Sequence, residues 1–402
     1  MKSNWGILKY IGPGLLVTVG FIDPGNWASN IAGGSEFGYK LLWVITLGTF
    51  TLIVLQHNVA HLGIVTGKCL SESVRENISK KIGNIILYSA LLANISVAFA
   101  EILGGAIAMN MIFNIPLTYG GIIVGILSLL MIFTNSYKKL EKFIVGFVSI
   151  IGFSFIYELS LVDVKWHEVV VNSFVPSLNG NNVLVAMGIF GAIVMPHNLF
   201  LHSEIIQSRQ WNLEEPEVIK KQLKYEFVDI LFSMGIGWVI NSAMIILSVS
   251  CFFEKNIDVT ELAQAHNLLG PLLGKGAGLI FALGLFFSGF SSSITAGMAG
   301  GTISSGIYKR PYNLKESYTK FGIIVSIVGG ILCIIFVKNT LKALIFSQAI
   351  LCFQLPLTIG AQLYLTGRKE IMGKYKNKIS TNITIGIIGI IITFLNFYLL
   401  FS

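Results

Sequence analysis

Charge is what this sequence has least of. Of 402 residues only 12% are Asp, Glu, Lys or Arg, while 54% are hydrophobic; a typical soluble domain carries about 25% charged residues. That shortage excludes an ordinary water-soluble globule. Cysteine is scarce too. Cys69, Cys251, Cys333 and Cys352 show no C-x-x-C spacing, which argues against a thiolate zinc site or a disulfide framework and leaves packing as their use. No G-x-x-x-x-G-K-[ST] loop occurs, so the chain carries no such cradle for ATP phosphates.

What is abundant is the long apolar run. A helix needs about 20 predominantly apolar residues to cross the hydrocarbon. The chain supplies such runs at 7 to 34, 41 to 65, 83 to 113, 117 to 134, 140 to 163, 182 to 208, 224 to 253, 271 to 304, 321 to 337, 342 to 366 and 381 to 401. The pattern predicts an all-α integral membrane protein of eleven transmembrane helices, with residues 1 to 402 forming a single domain. Basic residues orient it, because Lys and Arg collect in cytoplasmic loops. With the N-terminus inside, every Lys and Arg except Lys40, Lys165, Lys255, Lys275, Lys338 and Lys342 falls in a cytoplasmic segment. The net charge of +8 therefore reports topology and not nucleic-acid binding. The expectation is a multi-pass protein of the cell (plasma) membrane with a cytoplasmic N-terminus and an extracellular C-terminus. The first run lacks a small-residue cleavage site and reads as a retained helix.

Two of these runs are interrupted in the same way. The first carries Asp23-Pro24-Gly25-Asn26 and the sixth carries Met195-Pro196-His197-Asn198, both x-P-x-N and five helices apart. Proline removes a backbone donor and clashes with the preceding turn, so each helix should break there. Freed backbone groups are tolerable at membrane depth only where they line a cavity or a binding site. Paired breaks in two halves point to an inverted-repeat transporter with its site near the midplane. The repeats would run from about 7 to 163 and from about 182 to 366, with an extra helix at about 381 to 401.

An ionisable group inside a span is by default a functional candidate, which singles out Asp23. The first break offers its carboxylate and the Asn26 side-chain oxygen. The second offers the Met195 thioether and the Ala192 carbonyl, whose usual donor position is taken by the imino nitrogen of Pro196. Hard oxygens alone suit Mg²⁺ or Ca²⁺, whereas a soft sulfur in the same shell favours Mn²⁺, Fe²⁺ or Co²⁺. Ordinary packing is the alternative use of Met195.

In this order, DPGNWASN-IAGGSEFGY, QHNVAHLGIVTG, AEILGGAIAMNMIF, MPHNLFLHS, SGFSSSITAGMAGG and SQAILCFQLP resemble the Nramp (MntH-type) divalent-metal transporters across nearly the whole chain. The resemblance implies a leucine-transporter-like 5+5 inverted repeat and metal ligands at Asp23, Asn26, Ala192 and Met195. It places Gln348 at a position that approaches the metal in some conformations and Gln56 at a polar gate. It further implies uptake of Mn²⁺ or Fe²⁺ with protons moving alongside. The metal is substrate, so no cofactor is expected, nor an enzymatic activity, a nucleic acid or an obligate protein partner.

The chain departs from that family along the proton route. Glu101 matches the retained glutamate of helix three, but Ala98 and Leu91 stand where aspartate or another acid is common, and KESYTKFGIIVS has no arginine pair. Both signs of a salt-bridge ladder are missing together, as expected when a lone buried charge is strongly unfavourable. Metal uptake with proton movement rerouted, weakened or absent is the resulting expectation. Asp23, Glu101 and His197 remain as proton candidates, and His202 could line the exit. His57 and His61 share a helix face but read as packing or gate contacts more readily than as metal ligands. The stretch 210 to 227 reads as a solvated amphipathic linker, 162 to 182 as an extracellular connection, and Glu158 and Asp163 as groups within reach of solvent. The competing readings are a related Mg²⁺ carrier, a sodium-coupled amino-acid carrier of the same architecture, and an intramembrane metalloenzyme using His57, His61 and Glu101. The last leaves the duplicated breaks unexplained.

Overall fold

The computed structural model describes residues 22–134, 146, 152–153, 155, 157–208, 216–264 and 276–401. Every regular element among them is helical. The chain enters at α1 (Pro24–Phe37), turns through a short 3₁₀ segment and continues as α2 (Leu42–Thr66). A short α3 (Leu70–Asn77) precedes α4 (Lys80–Phe113) and α5 (Leu117–Thr134). Next come α6 (Trp166–Phe174), α7 (Val183–Ile193), α8 (Pro196–Ser208) and α9 (Pro216–Cys251). The last third holds α10 (Ala277–Ile307), α11 (Ser317–Ile334), α12 (Thr340–Gly367), the short α13 (Lys369–Met372) and α14 (Ile379–Phe401). Nine segments among the described residues are long and apolar enough to cross a membrane, α1 and α2 counting together as one. The expected helix at 140 to 163 lies largely outside the described residues, as does the first half of the run at 7 to 34.

Packing divides the helices. α10 lies along α4 and α11, α4 also packs on α5 and α11, and α9 lies along α1 and α2. α12 joins the groups, resting on α7 and α4 on one side and on α14 on the other. α14 offers Ile383, Ile387, Ile390, Phe394 and Phe397 outward. An apolar face of that size is unstable in water and at home in lipid.

The α4–α11 contact is close and uncharged. Asn94 Nδ2 donates to Ser326 Oγ at 2.8 Å and to the Ala296 carbonyl at 3.0 Å. Ala98 is fully buried, and Gly330 packs directly on its backbone. Lys315 and Lys320, the nearest cations in sequence, are exposed.

The connection 162 to 182 contains α6, which buries Val169 and Ser173, one turn apart, on a single face. Two sequence expectations need correction. Glu158 is 1% exposed and not solvated. Its segment packs on the C-terminal end of α9, where Ser250 Oγ donates to the Asp163 carbonyl at 3.0 Å. The supposed linker 210 to 227 is, from Pro216 on, the first turns of α9; it buries Gln222 and Glu226, and its charges are not all solvated. Proline at a first helical position starts a helix readily, so α9 begins earlier than its apolar content indicates.

Candidate metal site

Each proline motif opens a helix, and each opening has a local cause. Ile22 and Asp23 are non-helical, Asp23 being extended (φ −81°, ψ 168°), and α1 starts with Pro24 at its N-terminus. Asp23 caps that helix: its Oδ1 accepts from the Asn26 backbone N–H at 2.6 Å and from Asn26 Nδ2 at 3.0 Å. The Ile22 carbonyl, ahead of the helix, accepts from Ser288 Oγ of α10 at 2.5 Å and from Trp27 Nε1 at 3.2 Å. Between α7 and α8, Val194 and Met195 leave helical geometry because Pro196 has no N–H to offer the Ala192 carbonyl.

That carbonyl finds its donor in the other break. Asn26 Nδ2 reaches the Ala192 oxygen at 2.9 Å, across 166 residues of sequence. One side-chain amide thus ties the start of α1 to the α7–α8 break. Its nitrogen, and not its oxygen, lies between Asp23 and Ala192; Asn26 Oδ1 and Asp23 Oδ2 are buried without a hydrogen-bond partner. For Asn26 to offer oxygen to a cation, the amide has to rotate.

Other residues close around this point. Gln348 of α12 lies so near Gly25 that a Cβ on that glycine would overlap its side chain, and both ends of its amide are without partners. Gly104 of α4 similarly receives the Pro24 ring. Glu101, one turn earlier on α4, is fully buried and faces the Asp23 carboxyl and the Ser292 hydroxyl, with neither oxygen in a well-formed hydrogen bond. Met195 is fully buried in a small cluster with Ala192, Ala98, Val97, Ala93, Ala296 and Leu351. Gln56 of α2 is buried with both side-chain ends unpartnered. His197 is 2% exposed with Nδ1 free.

Residues without a foreseen role also belong to this region. Asn198, three residues after Met195 as Asn26 is after Asp23, is 1% exposed with both amide atoms unpartnered. The repeated x-P-x-N was its only signal. Each buried polar group left unpaired costs about 1–3 kcal/mol, so a concentration of them at two helix breaks marks a place where something else satisfies them. Among the described residues no three His, Cys, Asp or Glu side chains are arranged to hold a metal ion. A cation here would have to rely on amide, carbonyl and thioether donors around one or two carboxylates.

Two proline-led helix starts that meet over a buried carboxylate, in an otherwise apolar bundle, are the form of a secondary transporter of the membrane. Comparison with known proteins places the chain within it. The family model for natural resistance-associated macrophage protein-like (Nramp) proteins matches residues 14–402, and the chain belongs to the Nramp family. The natural resistance-associated macrophage protein 2 homolog of Dictyostelium discoideum is 38% identical over 414 residues, covering all of this chain and 65% of that relative. The divalent metal cation transporter MntH of Caldanaerobacter subterraneus subsp. tengcongensis is 37% identical over 373 residues, 92% of this chain and 87% of the relative. Among solved structures, the Eremococcus coleocola manganese transporter superposes with a TM-score of 0.85 at 28% identity, covering 98% of this chain and 87% of the other. MHP1, a nucleobase-cation-symport-1 family transporter, matches at a TM-score of 0.66 and 14% identity, over 97% and 90% of the two chains, a likeness of fold alone.

Proposed function

We propose that this protein imports divalent transition-metal ions, Mn²⁺ or Fe²⁺, by alternating access. The metal is held between Asp23, Asn26, Ala192 and Met195, and Gln348 closes over it. The observation that carries this reading is the Asn26 amide bridging the Asp23 carboxylate and the Ala192 carbonyl. A dication seated between those two oxygens replaces two amide hydrogens and also meets Asp23 Oδ2. An amino-acid substrate fits poorly, because its own carboxylate would need the helix N-terminus that Asp23 already caps. The Met195 sulfur disfavours a Mg²⁺ carrier, since a thioether does little for a strongly hydrated hard ion.

The architecture we assign is eleven spans in a 5+5 inverted repeat with one added helix, in the plasma membrane, N-terminus inside and C-terminus outside. The Lys and Arg distribution supports this orientation. Protons compete with the metal at the facing carboxyl groups of Asp23 and Glu101. The uncharged α4–α11 contact gives them no ladder to follow, so proton movement is rerouted and falls short of one proton per metal. Simultaneous recording of Mn²⁺ uptake and lumenal pH in proteoliposomes tests both parts. Mn²⁺ entry with a sub-stoichiometric proton flux is expected. No Mn²⁺ entry refutes the transport reading, and tight coupling at one proton per metal or more refutes the weakened route.

A further inference from the structure

Away from the metal site, one buried carboxylate is shared by two histidines from different helices. Glu226 of α9 is 2% exposed. Its Oε2 lies 2.8 Å from His57 Nδ1 of α2, and its Oε1 lies 3.5 Å from His202 Nε2 of α8. Exposure rises along the series: the side chain of His202 is 0% exposed, that of Glu226 2% and that of His57 36%. His61, one turn beyond His57, faces the same group and meets the Asn377 side chain. Asp229, one turn along α9, has partners of its own. Lys220, Lys221 and Lys224 precede Glu226 on α9 and are exposed, setting its level at the membrane interface.

The two histidines face opposite oxygens of one carboxylate, and among the described residues no three such groups are disposed to hold a metal ion. A row of alternating imidazole, carboxylate and imidazole that runs from dry to wet is suited to a proton. We infer that His202, Glu226 and His57 form the proton exit of this transporter, a route through α8, α9 and α2 that bypasses the neutral α4–α11 contact. This rests on the transport reading above.

Each step balances. His202, protonated on both nitrogens, gives its Nε2 proton to Glu226 Oε1. A half-turn of the carboxyl brings that proton round to His57 Nδ1, His57 releases its Nε2 proton to water at the exposed edge, and exchange of its remaining proton with water restores the starting tautomer. One proton enters at His202, one leaves at His57, and the carboxylate is restored.

The 3.5 Å gap is where coupling to metal enters. Neither His202 Nε2 nor Glu226 Oε1 has a hydrogen bond at that separation. His202 rides on α8 seven residues after Met195, about 10 Å along the helix axis. A shift of α8 as Met195 engages or releases the metal moves His202 toward Glu226 or away from it.

Glu226→Gln keeps shape and hydrogen bonding but cannot carry the proton. In proteoliposomes with Mn²⁺ outside, this variant should retain Mn²⁺ binding by titration calorimetry and Mn²⁺ entry, while metal-driven lumenal acidification drops roughly a hundredfold, the usual scale for a positioned proton-transfer group. His57→Ala should show the same loss, and added imidazole should restore the flux, because His57 is open to small solutes. A structural role would give no such rescue. Proton flux unchanged in Glu226→Gln, no imidazole rescue in His57→Ala, or a wild type that carries Mn²⁺ with no proton flux each overturns the inference. So does a second bound Mn²⁺ that disappears in Glu226→Gln, which would make the cluster a metal station. A wild type that carries no Mn²⁺ at all instead refutes the transport reading, and the relay with it.

Discussion

Asp23 caps α1 and, in the proposed site, meets the metal, two roles that one substitution can separate. As a cap it accepts from the Asn26 backbone and side chain through Oδ1 alone, leaving Oδ2 free. In Asp23→Asn the side-chain oxygen can keep both bonds, and Asn and Asp are equivalent caps, so fold stability should stay within about 1 kcal/mol of wild type. The change removes one negative charge next to the cation. Taking away one member of a buried ion pair costs about 3–5 kcal/mol, which at 1.4 kcal/mol per tenfold weakens Mn²⁺ binding on the order of a hundredfold to a few thousandfold. Asp23→Ala should lose the same affinity and about a further 1 kcal/mol of stability with the cap. Titration calorimetry on detergent-solubilised protein, with tryptophan-fluorescence melting of the same samples, reads both quantities. Mn²⁺ affinity reduced by less than about tenfold in Asp23→Asn would show that the carboxylate is a cap and no more. Equal melting of the Asn and Ala variants would remove the capping argument.

Two further substitutions test the surroundings. Met195→Leu preserves volume in the cluster with Ala98 and Leu351 while deleting the sulfur; Mg²⁺ should then compete with Mn²⁺ uptake where it does not in wild type, and unchanged discrimination would refute the sulfur filter. Gly104→Ala puts a methyl group into the Pro24 ring and should lower stability by about 1–3 kcal/mol, as overpacking does, together with Mn²⁺ affinity; an unchanged melting curve would mean that α4 does not brace the first break.

Much of this was legible in sequence because two strong physical signals coincide. Apolar run length located α5 at 117 to 134 and brought the other expected spans within a few residues of their helices, apart from the early start of α9 and the stretches that lie outside the described residues. Proline chemistry located the α7–α8 break and the start of α1, and it explained why Ala192, four residues before Pro196, has a carbonyl without a helical donor. What sequence could not provide was partnership. Glu226 closes a run of charged residues, KKQLKYEF, so it looked like one more solvated charge; only packing of α9 against α2 and α8 turns it inward onto His57 and His202. Glu158 was misjudged for the same reason, since an acid near a helix end is wet or dry according to what covers it. The rotation of the Asn26 amide has no sequence signal at all, because either of its atoms satisfies the motif.

That rotation bears on how binding could drive movement. A ligand shifts a conformational equilibrium only by its differential affinity for the two states. Here the bond between α1 and the end of α7 is the Asn26 N–H to the Ala192 carbonyl, 2.9 Å long. A cation taking up both Asp23 and Ala192 cannot coexist with that bond. It must turn the amide, presenting Oδ1, and in doing so it exchanges a neutral hydrogen bond between the two breaks for a shared positive charge. The link between the half-helices is then stronger and differently shaped with metal than without it, and the free ends of Gln348 and Asn198 are buried where the new geometry can use them. With the metal seated as proposed, exchange of one amide's partners between the start of α1 and the end of α7 would by itself let metal binding favour one arrangement of the bundle over another.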